Sequence, residues 1–334
     1  MTFLLQQTFI FFVPLILIAL GGVFSERSGV INLALEGIMI MGAFVGAWFV
    51  RSMQLGGWDK ENAQALLLLT LLLTAFVGAV FSLLLSFSAV TMKADQTIGG
   101  MALNLLAPAI VLFLINLLFN QGTLNLAYDA PSWFMIFKTD LGFSRSSDLG
   151  TIGSVFLDKF YLTNYIGIAI YILLSILLYT TKFGLRLRAC GEHPQAADSV
   201  GINVYIMRYV GTTIGGALAG MGGFIYTLTT SNGASTGDVA GFGFLALAVM
   251  IFGNWKPLNI AAAGFLFGLL KCIAACFSTL DINNDGVYLL AELGISTYVY
   301  GMLPYVVTLV VLALTSKNSR APRAEGIPYD KGVR

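Results

Sequence analysis

Residues 209–230 read YVGTTIGGALAGMGGFIYTLTT and contain no charged side chain. A run of this length can cross a hydrocarbon core of about 30 Å as a helix, in which the backbone satisfies its own hydrogen bonds. Small residues recur every four positions and form two neighbouring rows, with Gly211, Gly215, Ala219 and Gly223 in one and Gly216 and Gly220 in the other. Such faces let helix backbones approach closely in a membrane. The stretch therefore predicts a tightly packed spanning helix, in contact either with its own bundle or with a second subunit.

The rest of the composition also indicates a membrane protein. The chain has 334 residues, of which 57% are hydrophobic and 10% are charged, whereas about 25% of the residues of an average soluble domain are charged. We predict an all-α fold, a polytopic transmembrane bundle of about nine spanning helices with a range of about eight to ten. The range reflects the run 240–253, which is short for a full crossing. The other apolar runs occupy 8–24, 29–50, 65–90, 98–119, 163–180, 258–280 and 295–315.

The chain divides into one long apolar domain and a short tail. The first apolar run, 8–24, lacks a basic segment before it and a convincing small-residue cleavage site, so we interpret it as a retained helix and not as a signal peptide. A single transmembrane domain is predicted over 1–315, with a polar loop at 181–208. A basic tail follows over 316–334.

The distribution of lysine and arginine predicts the orientation, because retained basic loops mark the cytoplasmic side. The loop 181–208 and the tail 316–334 are both basic, and an even number of predicted helices separates them, so both can face the cytoplasm. The connections 231–239 and 281–294 contain acidic residues but no lysine or arginine, as expected outside. Continued towards the N-terminus, the alternation assigns the other connections as follows: Arg27 and Lys93 inside, Arg51, Lys60 and the N-terminus outside.

The loop between two long apolar runs has the pattern of a surface element. Residues 184–203 read GLRLRACGEHPQAADSVGIN, in which basic residues precede the helix breakers Gly191 and Pro194 and a short helical stretch at 195–200. A compact charged helix at the membrane surface can fit a groove on a partner protein. A basic anchor without a partner is the alternative that these residues leave open.

No catalytic constellation is present in the sequence. The phosphate-binding pattern G-x-x-x-x-G-K-[ST] does not occur, and the single histidine, His193, lies in the polar loop. Cys190, Cys272 and Cys276 are odd in number, and the last two lie in an apolar run, so we expect small core residues and neither a metal site nor a disulfide. The chain is not expected to be an enzyme, and any ATPase that drives it would be another chain.

Five stretches together resemble one known family. Residues 26–37 (ERSGVINLALEG), 184–203, 241–253 (GFGFLALAVMIFG), 303–309 (LPYVVTL) and 320–329 (RAPRAEGIPY) are similar to segments of the permease subunits of bacterial ABC importers in the branched-chain amino acid, ribose and nucleoside group. The tail and the N-terminal segment resemble the nucleoside and simple-sugar branch. The resemblance implies a fold like that of a type II ABC importer permease, in the bacterial inner membrane.

The resemblance also implies partners and a coupling surface. The expected partners are a cytoplasmic ATP-binding subunit, a second related permease in a heterodimer, an extracytoplasmic solute-binding protein and the lipid bilayer, with no nucleic acid. ATP would be used by the partner ATPase, and no cofactor would be bound by this chain. The loop 181–208 would be the coupling loop that transmits ATPase closure, through the residues Arg186, Arg188, Gly191, Glu192, Ala196, Ala197 and Gly201.

Few residues suggest a solute path. Asn32 and Glu36 lie four apart on one predicted helix face, and Asn104 is a polar group in an apolar helix. An ionisable group within a membrane segment is a functional candidate by default. The alternative for Glu36 is a carboxylate that ties helices together. The predicted residues of the solute path are therefore Asn32, Glu36 and Asn104.

Residues 281–292 match the spacing of a calcium-binding loop, D-x-[DN]-x-[DN]-G-x5-E. In such a loop the ligands would be the side-chain oxygens of Asp281, Asn283 and Asp285, the carbonyl of Val287 and the carboxylate of Glu292. Leu289 occupies a position at which an oxygen ligand or a water usually helps, which predicts weak binding. Asn, Asp and Gly are also ordinary turn residues, so a solvated outer connection is the alternative.

Three classes of function fit a membrane protein of this kind. We predict the permease subunit of an ATP-driven importer of nucleosides or of simple sugars such as ribose. The alternative is an ion-coupled secondary transporter of a small polar solute, which would usually carry several ionisable groups near the membrane midplane. A membrane scaffold without a solute would leave the coupling loop unexplained. The sequence does not choose among purine nucleosides, pyrimidine nucleosides and sugars.

Overall fold

The structure is a computed structural model that describes residues 2–127, 134–144, 150–279, 292, 294–315 and 320–332. Within these residues it is a bundle of α-helices with two small β-ribbons. The helices are α1 (Thr2–Arg27), α2 (Leu35–Leu55), α3 (Asp59–Ser86), α4 (Gln96–Phe119), α5 (Gly150–Leu157), α6 (Leu162–Thr180), α7 (Lys182–Glu192), α8 (Pro194–Ser199), α9 (Val204–Thr229), α10 (Phe242–Phe252), α11 (Pro257–Cys276) and α12 (Thr297–Thr315). One π-helical turn, Phe87–Thr91, extends α3.

Helix α9 lies at the centre of the bundle and packs against α1, α2 and α3. Its glycines make this possible, because their backbones touch the glycines of the neighbouring helices. A Cβ on Gly215 would collide with the carbonyl of Gly21 in α1, and one on Gly220 would meet Gly78 in α3 and Thr74. In α2, a Cβ on Gly42 would strike Gly220. The small-residue rows predicted at 209–230 therefore serve packing inside the bundle.

Each of the nine predicted spans corresponds to a helix of the described chain, and two of the predicted spans differ in extent. By length and apolar composition, six helices can cross a membrane: α1, α2, α3 with its π turn, α4, α6 and α11. Helix α9 is 26 residues long but rich in glycine, which lowers its hydropathy although most of it is buried. Helix α12 has 19 residues.

Two helices begin inside the bundle instead of at its surface. The predicted span 29–50 starts later, since α2 begins at Leu35 and residues 28–34 are not helical. The predicted span 240–253 is the helix α10, whose 11 residues rise about 16 Å, half of a membrane crossing. Leu35 and Met250 both pack on Gly22 of α1. The nonhelical segment and the short helix therefore lie beside each other within the bundle.

Different loops and short elements lie at the two ends of the bundle. At one end, β1 (Leu124–Asn125) pairs antiparallel with β4 (Ala234–Ser235), and β2 (Met135–Ile136) pairs with β3 (Phe160–Tyr161). Arg51 donates to the Asn125 carbonyl there, at 2.7 Å. The other end gathers α7, α8, the connection at 254–256 and the C-terminal segment 320–332. This grouping agrees with the predicted alternation, in which Arg51 is outside and the loop 181–208 and the tail are inside.

Candidate functional site

The polar loop 181–208 folds as two short helices, at the end of the bundle that the distribution of basic residues predicts to be cytoplasmic. The Thr181 hydroxyl accepts the Gly184 N–H at 3.2 Å and caps α7, and Pro194 takes the first turn of α8, where a missing N–H costs nothing. Gly201 turns the chain with a φ of 85°, in the left-handed region that favours glycine. The Asn203 side chain then caps α9 by accepting the Ile206 N–H at 3.1 Å. Pro194 thus begins α8, close to the predicted start at 195, whereas Gly191, predicted as a breaker, lies inside α7, which ends one residue later at Glu192.

The predicted coupling residues divide into an exposed group and a buried group. Arg186, Ala196 and Gly201 are exposed, next to Val200, which is 76% exposed. These residues form the outer surface of α7 and α8. A partner could contact this surface directly, so these residues can act as contact residues.

The other predicted coupling residues hold the two helices in place. Arg188 lies over the Tyr179 ring, with 4.8 Å from the guanidinium carbon to the ring centroid. Glu192 pairs with Arg27 of α1 at 3.1 Å. Gly191 and Ala197 are buried, and a Cβ on Gly191 would strike the Arg27 carbonyl. Helices α7 and α8 are therefore attached to the C-terminal end of α1.

The C-terminal segment packs across the same end of the bundle. The Ala324 N–H donates to the Gly191 carbonyl at 2.8 Å. Arg208 of α9, which is fully buried, donates to the carbonyls of Ile327 at 2.8 Å and Ala324 at 3.4 Å. A buried guanidinium needs such partners because an unpaired charge in a protein interior is costly. The tail, predicted as a basic extension, thus completes the environment of a residue in the central helix.

Side chains of the tail attach it to three further elements. Asp330 pairs with Lys93 at 2.6 Å, and this bond holds the pKa of the Asp330 carboxyl below its usual value. Lys331 lies 3.7 Å from Asp198 of α8, and the Tyr329 ring packs against Tyr205 with centroids 5.3 Å apart. Together with the bonds of Arg208, these contacts join the tail to α8, α9 and the connection before α4.

A cation-rich cavity of about 930 Å³ opens between the tail and the coupling helices. Four of its lining residues are cationic and one is acidic, so it carries an excess of positive charge. Its lining residues are Arg27, Glu192, Asn254, Lys256, Arg320, Ala321 and Arg323. Beside it, burial raises the pKa of Glu325 to about 7, although the charge of Arg27 opposes this shift.

Within the bundle, Glu36 binds the start of the short helix α10. Its carboxylate accepts backbone N–H groups from Gly241 at 3.0 Å, Gly243 at 2.5 Å and Phe244 at 3.3 Å. The first N–H groups of a helix lack partners within the helix and carry partial positive charge, so a carboxylate there is stabilising. A Cβ on Gly243 would strike the Glu36 backbone. Glu36 therefore ties α2 to α10, and its role in a solute path stays a prediction.

Asn104 and Asn32, the other two predicted path residues, lie at the nonhelical segment 28–34. The Asn104 amide donates to the Leu33 carbonyl at 2.7 Å and accepts the Gly37 N–H at 2.8 Å, so it supports the backbone where α2 begins. Asn32 is fully buried, and among the described residues neither atom of its amide has a hydrogen-bond partner. The same holds for the amide nitrogen of Gln96. The three residues thus place polar groups within the apolar bundle.

Sequence reasoning missed a polar cluster beside the start of α10. Lys271 of α11 donates to the Ala240 carbonyl at 3.4 Å and to the Tyr305 hydroxyl at 3.2 Å. Its ammonium lies 5.0 Å from the ring centroids of both Phe242 and Tyr305. The signal was present in the sequence, since Lys271 is a lysine inside the predicted span 258–280. What the sequence did not reveal is that α11, α12 and the start of α10 meet there.

The predicted calcium loop lies almost entirely outside the described residues. Asp281, Asn283, Asp285 and Val287 are not described, and Glu292 is described without the loop that precedes it. Among the residues that are described, no group of three or more His, Cys, Asp or Glu side chains could hold a metal ion. The three cysteines are free thiols, and Cys190 and Cys272 are buried.

The chain is similar over its full length to known membrane permeases. A family model described as "Branched-chain amino acid transport system / permease component" matches residues 4–313. The guanosine ABC transporter permease protein NupQ of Bacillus subtilis is 37% identical over 100% of this chain and 98% of its own. The nucleoside ABC transporter permease protein NupC of Lactococcus lactis is 38% identical over 96% of this chain and 95% of its own.

A second permease from Lactococcus lactis is a more distant relative. The nucleoside ABC transporter permease protein NupB is 26% identical over 82% of this chain and 71% of its own. No solved structure matches the chain. Permeases are translocation components and not enzymes, which agrees with the prediction from the sequence. The family match and the full-length relatives therefore identify the chain as a member of the permease-component family of branched-chain amino acid transport systems.

Proposed function

We propose that this chain is the membrane-spanning permease subunit of an ATP-driven importer that moves nucleosides across the inner membrane. The observation that carries the proposal is the similarity, over nearly the whole chain, to two permeases named for guanosine and for nucleosides. Membership of this permease family also favours an ATP-driven importer over an ion-coupled secondary transporter. Simple sugars such as ribose are the second substrate class to be tested.

The partner ATPase would dock on the exposed surface of α7 and α8. Arg186, Ala196, Val200 and Gly201 form this surface, while buried neighbours and the tail attach the helices to the bundle. Two connections, one covalent and one ionic, join this surface to the helices of the bundle. Helix α8 continues after a short turn into the central helix α9, and Glu192 of α7 is ion-paired with Arg27 at the end of α1. A push on α8 would therefore move α1 and α9 together.

A second, related permease would complete the translocation unit. Lactococcus lactis has two nucleoside permease proteins, and both are similar to this chain, which supports a heterodimer. Helices α4 and α12 expose long apolar side chains, among them Leu105 at 77% and Leu309 at 71%. Such faces must contact lipid or another apolar helix. A solute-binding protein on the extracytoplasmic side would deliver the solute.

The test of the function is uptake of radiolabelled guanosine, uridine and ribose in cells with and without this chain. Each measurement is repeated with the partner ATPase disabled by a substitution in its own nucleotide site. Loss of nucleoside uptake in both backgrounds is the expected result. Uptake that depends on this chain but survives loss of the ATPase would contradict ATP-driven import, and loss of ribose uptake alone would change the substrate class.

The coupling assignment has its own test. Glu192→Gln removes the ion pair with Arg27, and Gly201→Ala strains a turn that requires a φ of 85°. Both variants of the purified importer should hydrolyse ATP but transport less solute for each ATP consumed. Lys60→Gln, at the opposite end of the bundle, is the control. Normal transport in both coupling variants would remove these residues from the coupling element.

A further inference from the structure

Lys271 is an unusual residue for its place in the fold. It lies 14 residues after the start of α11 at Pro257, about 21 Å along the helix axis, and hence in the outer half of a spanning segment. Among the described residues, no carboxylate lies within 4.0 Å of its ammonium group. A charged side chain in a membrane segment normally faces protein or a water-filled cavity, because contact with lipid is costly.

The groups around Lys271 form a small polar surface with aromatic walls. The Tyr305 hydroxyl lies 3.2 Å from the Ala240 carbonyl and 3.2 Å from the Lys271 ammonium. The Phe242 ring, which packs on Tyr226 with centroids 4.7 Å apart, lies beneath the ammonium. Tyr305 is 44% exposed, and Ala240 and Asp238 are exposed as well. The surface is therefore accessible from one side of the chain.

The chemistry of this surface can be read from the groups that remain unsaturated. Glu36 already accepts the backbone N–H groups at the start of α10, and Asp238 accepts the Ala240 N–H at 3.0 Å. Lys271 and Tyr305 both donate to the Ala240 carbonyl, and Lys271 also donates to the Tyr305 hydroxyl. The capacity that remains is one hydrogen of the Lys271 ammonium, which donates, and one lone pair of the Tyr305 hydroxyl oxygen, which accepts. A solute with adjacent hydroxyl groups complements these groups. An anionic solute fits less well, because two carboxylates lie at the same helix start.

We propose that Lys271 and Tyr305, held together by the Ala240 carbonyl that both of them contact, bind the hydroxyl groups of the transported solute as it passes the outer half of the membrane. The inference rests on the proposed function, which supplies a solute with a ribose diol. The aromatic faces of Phe242 and Tyr305 form the wall of this site. The site lies near α4, where Leu112 packs on Gly237.

The experiment uses the complete importer in proteoliposomes, with the binding protein at saturation and ATP inside. The transported solutes are guanosine and its 2′,3′-dideoxy analogue, which lacks the hydroxyl pair. Tyr305→Phe and Lys271→Gln are compared with the matched control Tyr298→Phe, which removes an 85% exposed hydroxyl from the same helix. Melting temperature and yield report whether each variant folds.

The expected result is selective loss. Tyr305→Phe should lower the transport rate of guanosine about fivefold, and Lys271→Gln about tenfold or more, as one neutral and one charged hydrogen bond predict. Both variants should transport the dideoxy analogue at the rate of the unmodified importer. Tyr298→Phe should change the transport rate of neither solute.

Other outcomes overturn the proposal. Equal losses for both solutes would assign the cluster to helix packing or to contact with the second permease, and no loss for either solute would exclude contact with the solute. Failure of the proposed function is distinguishable, because the unmodified importer would then transport no guanosine. In that event the same comparison with ribose and 2-deoxyribose tests the site for the sugar class.

Discussion

The predicted cytoplasmic end of the bundle and the start of α10 differ in how their charged side chains are paired. At the cytoplasmic end, Arg27 pairs with Glu192, and the guanidinium of Arg208 is bound by two carbonyls of the tail. At the start of α10, Glu36 is saturated by backbone N–H groups, whereas Lys271 has only neutral partners among the described residues. The first arrangement resists local movement and suits transmission of force. The second leaves hydrogen-bonding capacity for a solute.

The largest effect is expected at Arg208. Arg208→Leu leaves the carbonyls of Ala324 and Ile327 without their donors and should destabilise the packed tail by about 3 kcal/mol, because two charge-assisted bonds are lost. The melting temperature of the purified importer should fall, and trypsin should cleave faster after Arg323. Arg186→Leu, an exposed arginine on the same face, is the control. Equal protease resistance in both variants would mean that the tail does not depend on Arg208.

Glu36→Gln tests the other half of the comparison. The amide loses the negative charge that faces the start of α10, and its nitrogen cannot accept an N–H, so about 2 kcal/mol of stability should be lost. Glu192→Gln is the matched change in a partly exposed ion pair and should cost less than about 1 kcal/mol. Thermal unfolding of both variants provides the measurement. A larger loss for Glu192→Gln would reverse the proposed contrast between the two regions.

The tail should respond to pH through Glu325. Burial raises the pKa of Glu325 to about 7, with the charge of Arg27 and a hydrogen bond with Glu26 opposing the shift, while the ordinary value in an unfolded chain is about 4.3. Between these values the packed state holds more protons than the released state, so tail packing weakens as pH rises from about 4.3 through about 7. Trypsin cleavage at Arg323, corrected for the enzyme's own pH profile, should accelerate over this window. Glu325→Gln should flatten the response, and an unchanged response in that variant would assign it to another group.

The last prediction concerns the predicted calcium loop at 281–292, which follows α11 in the sequence. Calcium at about ten times a weak dissociation constant should stabilise the protein by about 1.4 kcal/mol. The measurement is the melting temperature with millimolar calcium, with magnesium as the control. The shift should disappear in Asp281→Ala. No shift at millimolar calcium would leave the segment as an ordinary turn-rich connection.

Much of the architecture could be predicted because a membrane restricts the choices. The backbone of a spanning segment must pair with itself, so each long apolar run forms a helix, and 209–230, 65–90 and 163–180 all do so. The start of α8 and the turn after it in the loop 181–208 were also readable, since Pro194 and Gly201 act locally. The nonhelical segment 28–34 was not readable, because its residues are apolar enough to continue a helix and its backbone is supported by Asn104, about seventy positions further along the chain.

The features of the candidate site also fall into two groups, those set by residues close in the sequence and those set by contacts between distant residues. The sequence by itself determined the helices, the basic end of the bundle, the two short helices of the loop 181–208 and the family resemblance, because each depends on residue types within a short window. Only the tertiary structure decided that the tail binds Arg208, that Glu36 caps α10 and that Lys271 meets Tyr305. These pairs are separated by 34 to 207 positions, and the packing of several helices, not any local pattern, brings them together.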